Sequence, residues 1–325
     1  TVFETAPFDH SGTTPRRVSA AYSGPGPGRK SVRNVPVSRL ERARGRTTFG
    51  GNDRRNPMPQ FRRIGLAALA LLTFALPASA ASEEELDRLF AAIGTPRLME
   101  IMRVEGLEQA GELADEVFGP GGDGFASLAD RIYDTRRMQQ TFRVEFDAIL
   151  ADREVDGLLD FFASDRGRRI VTLELSAREA LLDPDVEAAA EEAAARMEED
   201  ASGRRALIET FVEANDLIEL NVMGAMNASV AYYRGLNDAG RMDVPESQIL
   251  SDVWAQEADL RAETTTWVYA YLGMAYEPLS DDDLTAYTEM SQSPAGRALN
   301  RALFEGFDDV FNEISYLLGG ATVRF

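Results

Sequence analysis

The chain has 325 residues, a net charge of −20 and no cysteine, which excludes a disulfide framework and lipid attachment at a cysteine. Its one histidine, His10, and its one lysine, Lys30, lie in the first 57 residues. The remainder therefore offers no Ser-His-Asp or Cys-His nucleophile, no ordinary zinc site, no Schiff-base lysine and no Walker-type phosphate clamp. Carboxylate chemistry and oxygen-ligand metal binding are what remain.

Residues 1–57 are rich in Arg, Gly, Pro and Ser and show no sustained apolar periodicity. Such a segment cannot bury enough surface to offset chain entropy, so it predicts a disordered basic arm. One interpretation is an arm that binds nucleic acid or anionic lipid. The other is upstream sequence ahead of a true start at Met58, and the complete signal directly behind Met58 favours this second interpretation.

Residues 58–80 have the order of a secretory signal peptide: a charged start at 58–63, an apolar run at 64–76 and small residues at 77–80. We expect cleavage after Ala80 and a product in the periplasm of a two-membrane bacterium, or secreted. The apolar run is shorter than the roughly 20 residues of a membrane span. A retained anchor formed by residues 64–80 is the alternative.

Removing the signal makes the protein more acidic. The first 80 residues carry 13 Lys and Arg against four acids, so their loss changes the net charge from −20 to −29. Phosphate backbones and anionic lipid headgroups repel such a chain. We therefore expect no nucleic-acid partner, and membrane contact only through an uncleaved signal segment.

From Ser82 onward the pattern is helical nearly throughout. Ser82 and Glu85 form a capping box ahead of an apolar-periodic helix, which residues 94–96 end. The pattern then predicts a helix over 97–118, a Gly-rich loop at 119–124, one long helix that reaches Leu150, and short helices over 153–163 and 165–182. An Ala-rich run at 188–195, flanked by Glu, predicts a solvent-exposed helical connector between the two copies described below. The alternative is that the narrow Ala stripe seats a partner helix.

The helical order recurs along the chain. Residues 161–168 match residues 290–297, which lie 129 positions later, and residues 98–101 resemble residues 217–220 at an offset of 119. The change of offset indicates an insertion, which we place near 275–279. The sequence thus predicts two similar multi-helix units packed side by side, over 81–200 and 201–325. Chance similarity between helices rich in Leu and Ala is the alternative.

An acidic helix start, an apolar-aromatic stretch and a Ser-x-x-Gly-Arg segment follow one another from Ser280 to Arg297. In this order they resemble the domain-of-unknown-function family 2059, exported bacterial helical proteins with a motif of the form Phe-Tyr-x-Ser-Pro-x-Gly. The second copy keeps Ser293 and Pro294 but lacks the aromatic pair. The first keeps an aromatic pair but has Asp165 where proline is expected. The resemblance implies a helical fold and an exported compartment, and it implies no activity.

The motif of each copy has a structural interpretation. Its serine is placed to cap the next helix, proline is tolerated at the first helical position, and a glycine in the first turn lets a neighbouring helix approach. The arginine can bond an acid or the carbonyl end of another helix. The functional alternative is that the arginines grip a ligand carboxylate. The residues concerned are Ser164, Gly167, Arg168, Ser293, Pro294, Gly296 and Arg297.

Aromatic and Met residues concentrate in the second copy. Trp267 and Tyr271 lie four positions apart, on one face of a predicted helix. With Trp254 and Met274 they are the candidate lining of an apolar ligand groove. The alternative is that they are core residues.

Two acidic clusters are the best candidates for binding a hard cation: residues 281–283, and Asp183 with Asp185. Neither has the spacing of a calcium loop. Acids in a first helical turn are stabilised by the helix dipole in any case. The sequence therefore predicts no metal site, and it predicts no cofactor.

These features favour a non-catalytic binding or interaction module of the bacterial envelope, whose partner is a protein or an apolar ligand. The alternative is a carboxylate-dependent hydrolase acting on envelope material, because a pair of acids suffices for that chemistry. With 50 acids beyond residue 80, the sequence does not identify a catalytic pair.

Overall fold

The computed structural model describes residues 80–118, 123–199 and 203–322. Helices make up nearly all of these residues, and no β-strand occurs among them. The all-α prediction is confirmed. None of the helices in this part of the chain combines the length and the apolar character that a membrane crossing requires. The predicted basic arm and the predicted signal segment up to residue 79 lie outside the described residues.

Thirteen helices are described. The first six are α1 (Glu83–Ala92), α2 (Thr95–Phe118), α3 (Asp123–Ile132), α4 (Thr135–Leu150), α5 (Asp156–Ala163) and α6 (Asp165–Ala180). A single helix, α7 (Pro184–Glu199), follows. The last six are α8 (Gly203–Ala214), α9 (Leu217–Asp238), α10 (Glu246–Trp254), α11 (Glu257–Tyr276), α12 (Asp281–Gln292) and α13 (Pro294–Ala321).

The helix starts follow from local capping. The capping box of α1 is confirmed, since the Glu85 backbone N–H donates to Ser82 Oγ at 3.2 Å and the Ser82 N–H donates to Glu85 Oε2 at 2.7 Å. Helix α2 begins at Thr95, two residues before its predicted start, because Gly94 with φ of 76° turns the chain and Pro96 fits a first helical turn.

The prediction of one long helix through Leu150 is wrong. The chain breaks at Asp134, which separates α3 from α4. Asp134 has extended backbone angles, and its carboxylate accepts from the Arg137 N–H at 2.9 Å. An aspartate that bonds the next turn starts a new helix rather than continuing the old one.

The two sets of six helices have the same internal packing. In the first set α1 packs on α2, α4 and α5, α2 packs on α3, α4 and α6, and α5 packs on α6. In the second set α8 packs on α9, α11 and α12, α9 packs on α10, α11 and α13, and α12 packs on α13. Each contact in one set therefore has its counterpart in the other. The predicted boundary at 200–201 lies outside the described residues, so the division into units stays a prediction.

Two of the crossings that join the sets correspond to each other: α4 packs on α13, and α11 packs on α6. Helix α13 also packs on α3 and α5. At the first, the rings of Phe142 and Phe307 lie 4.8 Å apart. At the second, the Tyr276 hydroxyl donates to a Glu174 carboxylate oxygen at 2.7 Å, and both side chains are buried. The pairing is reciprocal, as in a two-fold arrangement, and all the described residues belong to one compact unit.

The α9–α13 crossing brings two backbones together. A Cβ added to Gly235 would lie 2.9 Å from Gly320 N and closer still to the Tyr316 carbonyl oxygen. One added to Gly319 would lie 3.1 Å from Leu236 N, with the Tyr232 carbonyl oxygen closer still. Only glycine allows helices to approach to this distance.

The Ala-rich run predicted that α7 is a solvent-exposed connector. This prediction is wrong for one face of the helix. Ala190 and Ala194 are buried and belong to the core, and the helix packs on α11. The Met197 methyl lies close to Gly273 of α11, since a Cβ added to Gly273 would be only 3.1 Å from that methyl. Small residues on one face of α7 therefore seat it against α11, while Glu191, Glu192 and Glu198 remain exposed.

Candidate binding site

The two serines of the repeated motif are helix caps. Ser164 Oγ accepts from the Gly167 N–H at 3.0 Å, and Ser293 Oγ accepts from the Gly296 N–H at 2.9 Å. Pro294 occupies the first position of α13, where the missing N–H has no helical partner to lose. The side chains that form these two corners are thus engaged with backbone.

The glycines of the motif allow the preceding helix to fold tightly against the next one. A Cβ on Gly167 would lie 2.7 Å from Phe162 Cα and closer to the Phe161 carbonyl oxygen. A Cβ on Gly296 would lie 2.7 Å from the Ser291 carbonyl oxygen, and the Met290 carbonyl oxygen is closer.

The arginines of the motif bond to the same corners. Arg168 Nη1 donates to the Ala163 carbonyl, Arg168 Nη2 pairs with Asp165 at 2.6 Å, and Arg297 Nη1 donates to the Gln292 carbonyl. Each arginine therefore binds the carboxyl end of the helix before its own, which carries partial negative charge. These contacts describe a repeated structural corner and no ligand cleft.

The predicted apolar groove does not form around Trp267 and Tyr271, so that interpretation is wrong for these two residues. Both are buried, their rings stack at 4.9 Å, and the Tyr271 hydroxyl donates to the Glu174 carbonyl at 3.1 Å. Met274 is partly buried against the core, and Trp254 on α10 is 71% exposed. A four-residue spacing identifies a shared helix face, and here that face points into the protein.

The acidic clusters proposed for a cation have local partners. Asp281 pairs with Arg204 at 2.8 Å, and Asp283 pairs with Arg166 at 2.7 Å. The Asp183 carboxylate accepts from the Asp185 N–H at 2.9 Å at the start of α7. Among the described residues no group of three or more acids is arranged to hold a metal ion.

A cavity of about 350 Å³ lies between α4, α9 and α13. Its lining combines apolar side chains with carboxylates and amides, and none of the twelve lining residues is basic. The lining consists of Glu145, Leu220, Asn221, Met223, Gly224, Asn227, Phe304, Glu305, Phe307, Asp308, Asp309 and Phe311. We call this cavity the acidic-aromatic pocket.

The aromatic part of the pocket comes from one face of α13. Phe304, Phe307 and Phe311 follow one another at intervals of three and four residues, and the rings of Phe307 and Phe311 lie 6.5 Å apart. Phe307 is 4% exposed and forms the floor, whereas Met223 on α9 is 50% exposed at the rim. The pocket thus has a buried apolar floor below an open edge.

Two acids of the pocket, Asp308 and Asp309, have raised pKa values. Burial raises the pKa of the Asp308 carboxyl, against hydrogen bonds from Asn227 at 3.0 Å and Asn312 at 2.9 Å. Burial also raises the pKa of Asp309, and the negative charges of Glu145, Asp308 and other neighbouring acids raise it further. A positive charge placed here would relieve that repulsion.

No family model, curated protein or solved structure matches this chain. The resemblance to family 2059 therefore stays a prediction. The pocket itself defines the candidate site, by its geometry and its charge.

The sequence of α13 contains a pattern that indicates this pocket, and it lies outside the Ser-x-x-Gly-Arg motifs. On α13, apolar Phe304, Phe307 and Phe311 alternate with Glu305, Asp308 and Asp309. An aromatic stripe flanked by acids is unusual for a core-facing helix, since the acids must lie at the edge of the buried surface. The contributions of α4 and α9 are distant in sequence, and only the fold brings them to the same cavity.

Proposed function

We propose that this chain is an exported, non-catalytic binding module of the bacterial envelope, and that its ligand site is the acidic-aromatic pocket. The observation that carries the proposal is the lining: three phenylalanines and four carboxylates around one cavity, with no basic residue among them. The ligand class that fits is a small molecule or side chain with an apolar part and a positive charge.

Each half of the pocket contributes a different term to binding. Covering the exposed parts of Phe304 and Phe311 removes apolar surface from water, at about 25 cal/mol per Å². A cation beside Asp308 and Asp309 replaces the repulsion between neighbouring carboxylates with attraction in a partly desolvated site. A ligand that lacks either part loses one of these two contributions.

Calorimetric titration of the full chain tests this function. Benzylamine carries both a ring and a charge, benzyl alcohol carries the ring alone, and propylamine carries the charge alone. We expect benzylamine to bind more tightly than either of the other two. Equal affinities for benzylamine and propylamine would show that the phenylalanines do not contribute to binding. If neither amine binds, the proposal is overturned.

A pair of variants locates the site. Asp309→Asn removes one pocket charge and is expected to weaken benzylamine binding several-fold. Asp160→Asn removes the same charge from an exposed position on α5 and is expected to leave binding unchanged. Equal losses in the two variants would mean that overall charge, not the pocket, attracts the ligand.

A carboxylate-dependent hydrolase of envelope material is the second candidate, favoured by one observation. The pocket gathers four carboxylates, and the pKa of Asp308 is raised, as a general acid requires. The test is release of reducing ends from peptidoglycan by the full chain and by Asp308→Asn. Release that the variant abolishes supports the hydrolase, and absence of release by the unmodified chain counts against it.

Export is proposed from the signal-like order of residues 58–80, and the resemblance to family 2059 points to the same compartment. N-terminal sequencing of protein recovered from a periplasmic fraction provides the test. A start at Ala81 supports cleavage and a periplasmic or secreted product. An intact 64–80 segment in a membrane fraction would support the anchored alternative, and any peptide from before Met58 would overturn the start proposed at that residue.

A further inference from the structure

The acidic-aromatic pocket has an internal counterpart in the first set of helices. Helices α4, α9 and α13 surround the pocket, and by the shared packing they correspond to α11, α2 and α6. The offset of 119 relates α2 to α9, and the offset of 129 relates α6 to α13. The same position in the fold therefore occurs twice, with different side chains.

The register between α4 and α11 follows from their buried faces. Its offset of 126 means that seven of the ten extra residues precede these faces, so the insertion predicted near 275–279 lies mostly earlier in the chain. Three fully buried residues, spaced four apart, point into the core from each helix, at an offset of 126: Phe142, Phe146 and Leu150 from α4, and Val268, Leu272 and Tyr276 from α11. The correspondences between pocket lining and counterpart are Gly224 with Glu105, Glu145 with Tyr271, Phe307 with Arg178, and Asp308 with Glu179. Thr141, one turn before Glu145 on α4, corresponds to Trp267.

A guanidinium group fills the counterpart. Arg178 Nη2 pairs with Glu105 at 2.5 Å, and the two side chains are only 6% and 15% exposed. The guanidinium carbon lies 5.2 Å from the centre of the Trp267 ring, which stacks on Tyr271. The site is thus a carboxylate and an aromatic face that hold one buried organic cation.

The pocket keeps the carboxylate and aromatic character of this site but lacks its cation. Gly224, which lines the pocket, has no side chain at the position of Glu105. Thr141 is shorter than its counterpart Trp267, and its hydroxyl donates to Glu313 at 2.7 Å. Phe307 stands at the position of Arg178, so α13 supplies an aromatic ring of the pocket. Glu145 stands at the position of Tyr271 and supplies a carboxylate. The pocket is therefore open where the counterpart is occupied by the protein's own side chain.

We propose that the acidic-aromatic pocket binds a guanidinium group supplied by the ligand, as the counterpart binds that of Arg178. This inference rests on the proposed function and narrows its ligand class. A planar guanidinium can lie flat on a phenylalanine ring while its edge donates to two carboxylates, whereas an ammonium is a compact, strongly hydrated charge that stacks poorly. Asp308 is the carboxylate that we assign to this contact, because amides from α9 and α13 donate to its two oxygens and hold it in place.

Calorimetry on the full chain with three matched probes tests the inference. Benzoyl-arginine amide carries a guanidinium, benzoyl-lysine amide carries an ammonium, and benzoyl-citrulline amide is the neutral analogue of the first. We expect the arginine probe to bind about tenfold or more tightly than the lysine probe, and the citrulline probe to show no binding. Butylguanidine, which carries a guanidinium and no other charge, forms a fourth arm. Binding as tight as that of the arginine probe assigns a free guanidine, and weaker binding assigns an arginine within a longer ligand.

The outcomes separate this inference from the proposed function. If the lysine probe binds as tightly as the arginine probe, the guanidinium assignment is overturned while a site for apolar cations stands. If the citrulline probe binds as tightly as the arginine probe, charge is not recognised and both proposals fail. Both also fail if no charged probe binds.

A variant and its counterpart locate the contact. Asp308→Asn is expected to weaken the arginine probe about tenfold. Glu179→Gln changes the corresponding residue beside the filled site, where its carboxylate pairs with Arg97 at 2.8 Å, and is expected to leave the affinity unchanged. Unfolding midpoints for both variants show whether the fold is intact. A folded Asp308→Asn protein with undiminished affinity would overturn the assignment.

Discussion

The α9–α13 crossing gives the sharpest prediction of stability. In Gly235→Ala or Gly319→Ala, the new methyl would meet backbone atoms at 3.1 Å or less, where ordinary contacts begin at 3.4 Å. Because the contacted atoms belong to the backbone of the facing helix, they cannot rotate away, and the helices must separate by about 1 Å. This separation forfeits about a quarter to a half of the dispersion energy of each contact across the crossing. After a gain of up to about 1 kcal/mol in helix propensity, we expect each variant to lose about 2–3 kcal/mol in the free energy of unfolding.

Urea denaturation followed by circular dichroism measures this loss, and a thermal scan should show a fall in Tm of about 5–10 °C. The double variant adds a second test. Because one separation of the helices relieves both clashes, the cost of Gly235→Ala with Gly319→Ala should fall well below the sum of the single costs.

Gly111→Ala is the matched control. It lies within α2, and a Cβ there meets nothing within 4 Å, so the substitution should raise the free energy of unfolding by up to about 1 kcal/mol. If the two crossing variants behaved like this control, or if their costs simply added, the close approach of the two backbones would be refuted.

Three further predictions concern the caps, the buried cation and the pocket. Ser293→Ala should cost about 1 kcal/mol in urea denaturation, because the cap of α13 is lost; an unchanged midpoint would contradict this. Arg178→Leu should cost about 3–5 kcal/mol by leaving Glu105 nearly buried without its cation, and adding Glu105→Gln should recover part of the loss, whereas additive costs would show that the pair is not coupled. The pKa of Asp308 is raised in the folded state, so folding favours its protonated form, and stability should rise as pH falls from neutral through that raised pKa towards the unfolded value. Urea midpoints across this range should rise less in Asp308→Asn, and an equal rise would show that Asp308 is not responsible.

Local sequence was sufficient for the helical class and for the caps of α1, α6 and α13. Ser82 with Glu85, and the serines of the repeated motif, act through atoms three residues away, which a sequence displays directly. The break at Asp134 was missed although its signal is also local. Apolar periodicity runs across the break, and periodicity alone does not reveal that an aspartate has captured the next N–H.

The interior of the site could not be predicted in the same way. Trp267 belongs to the core because Arg178, 89 positions earlier, supplies a cation against its face. The acidic-aromatic pocket combines Glu145 of α4, Gly224 of α9 and Phe307 of α13, which are far apart in sequence. Such facts depend on which helices meet, and composition and spacing within one helix contain no information on that.

The reciprocal crossings of α4 with α13 and of α6 with α11 bind the folding of the two sets together. The face of α4 that holds Phe142 is covered by a helix of the other set, and the buried Glu174 of α6 has its hydroxyl donor on α11. Unfolding of either set would expose buried side chains of the other. Intermediates with one half ordered are therefore costly, and the described body should lose its structure in a single cooperative step.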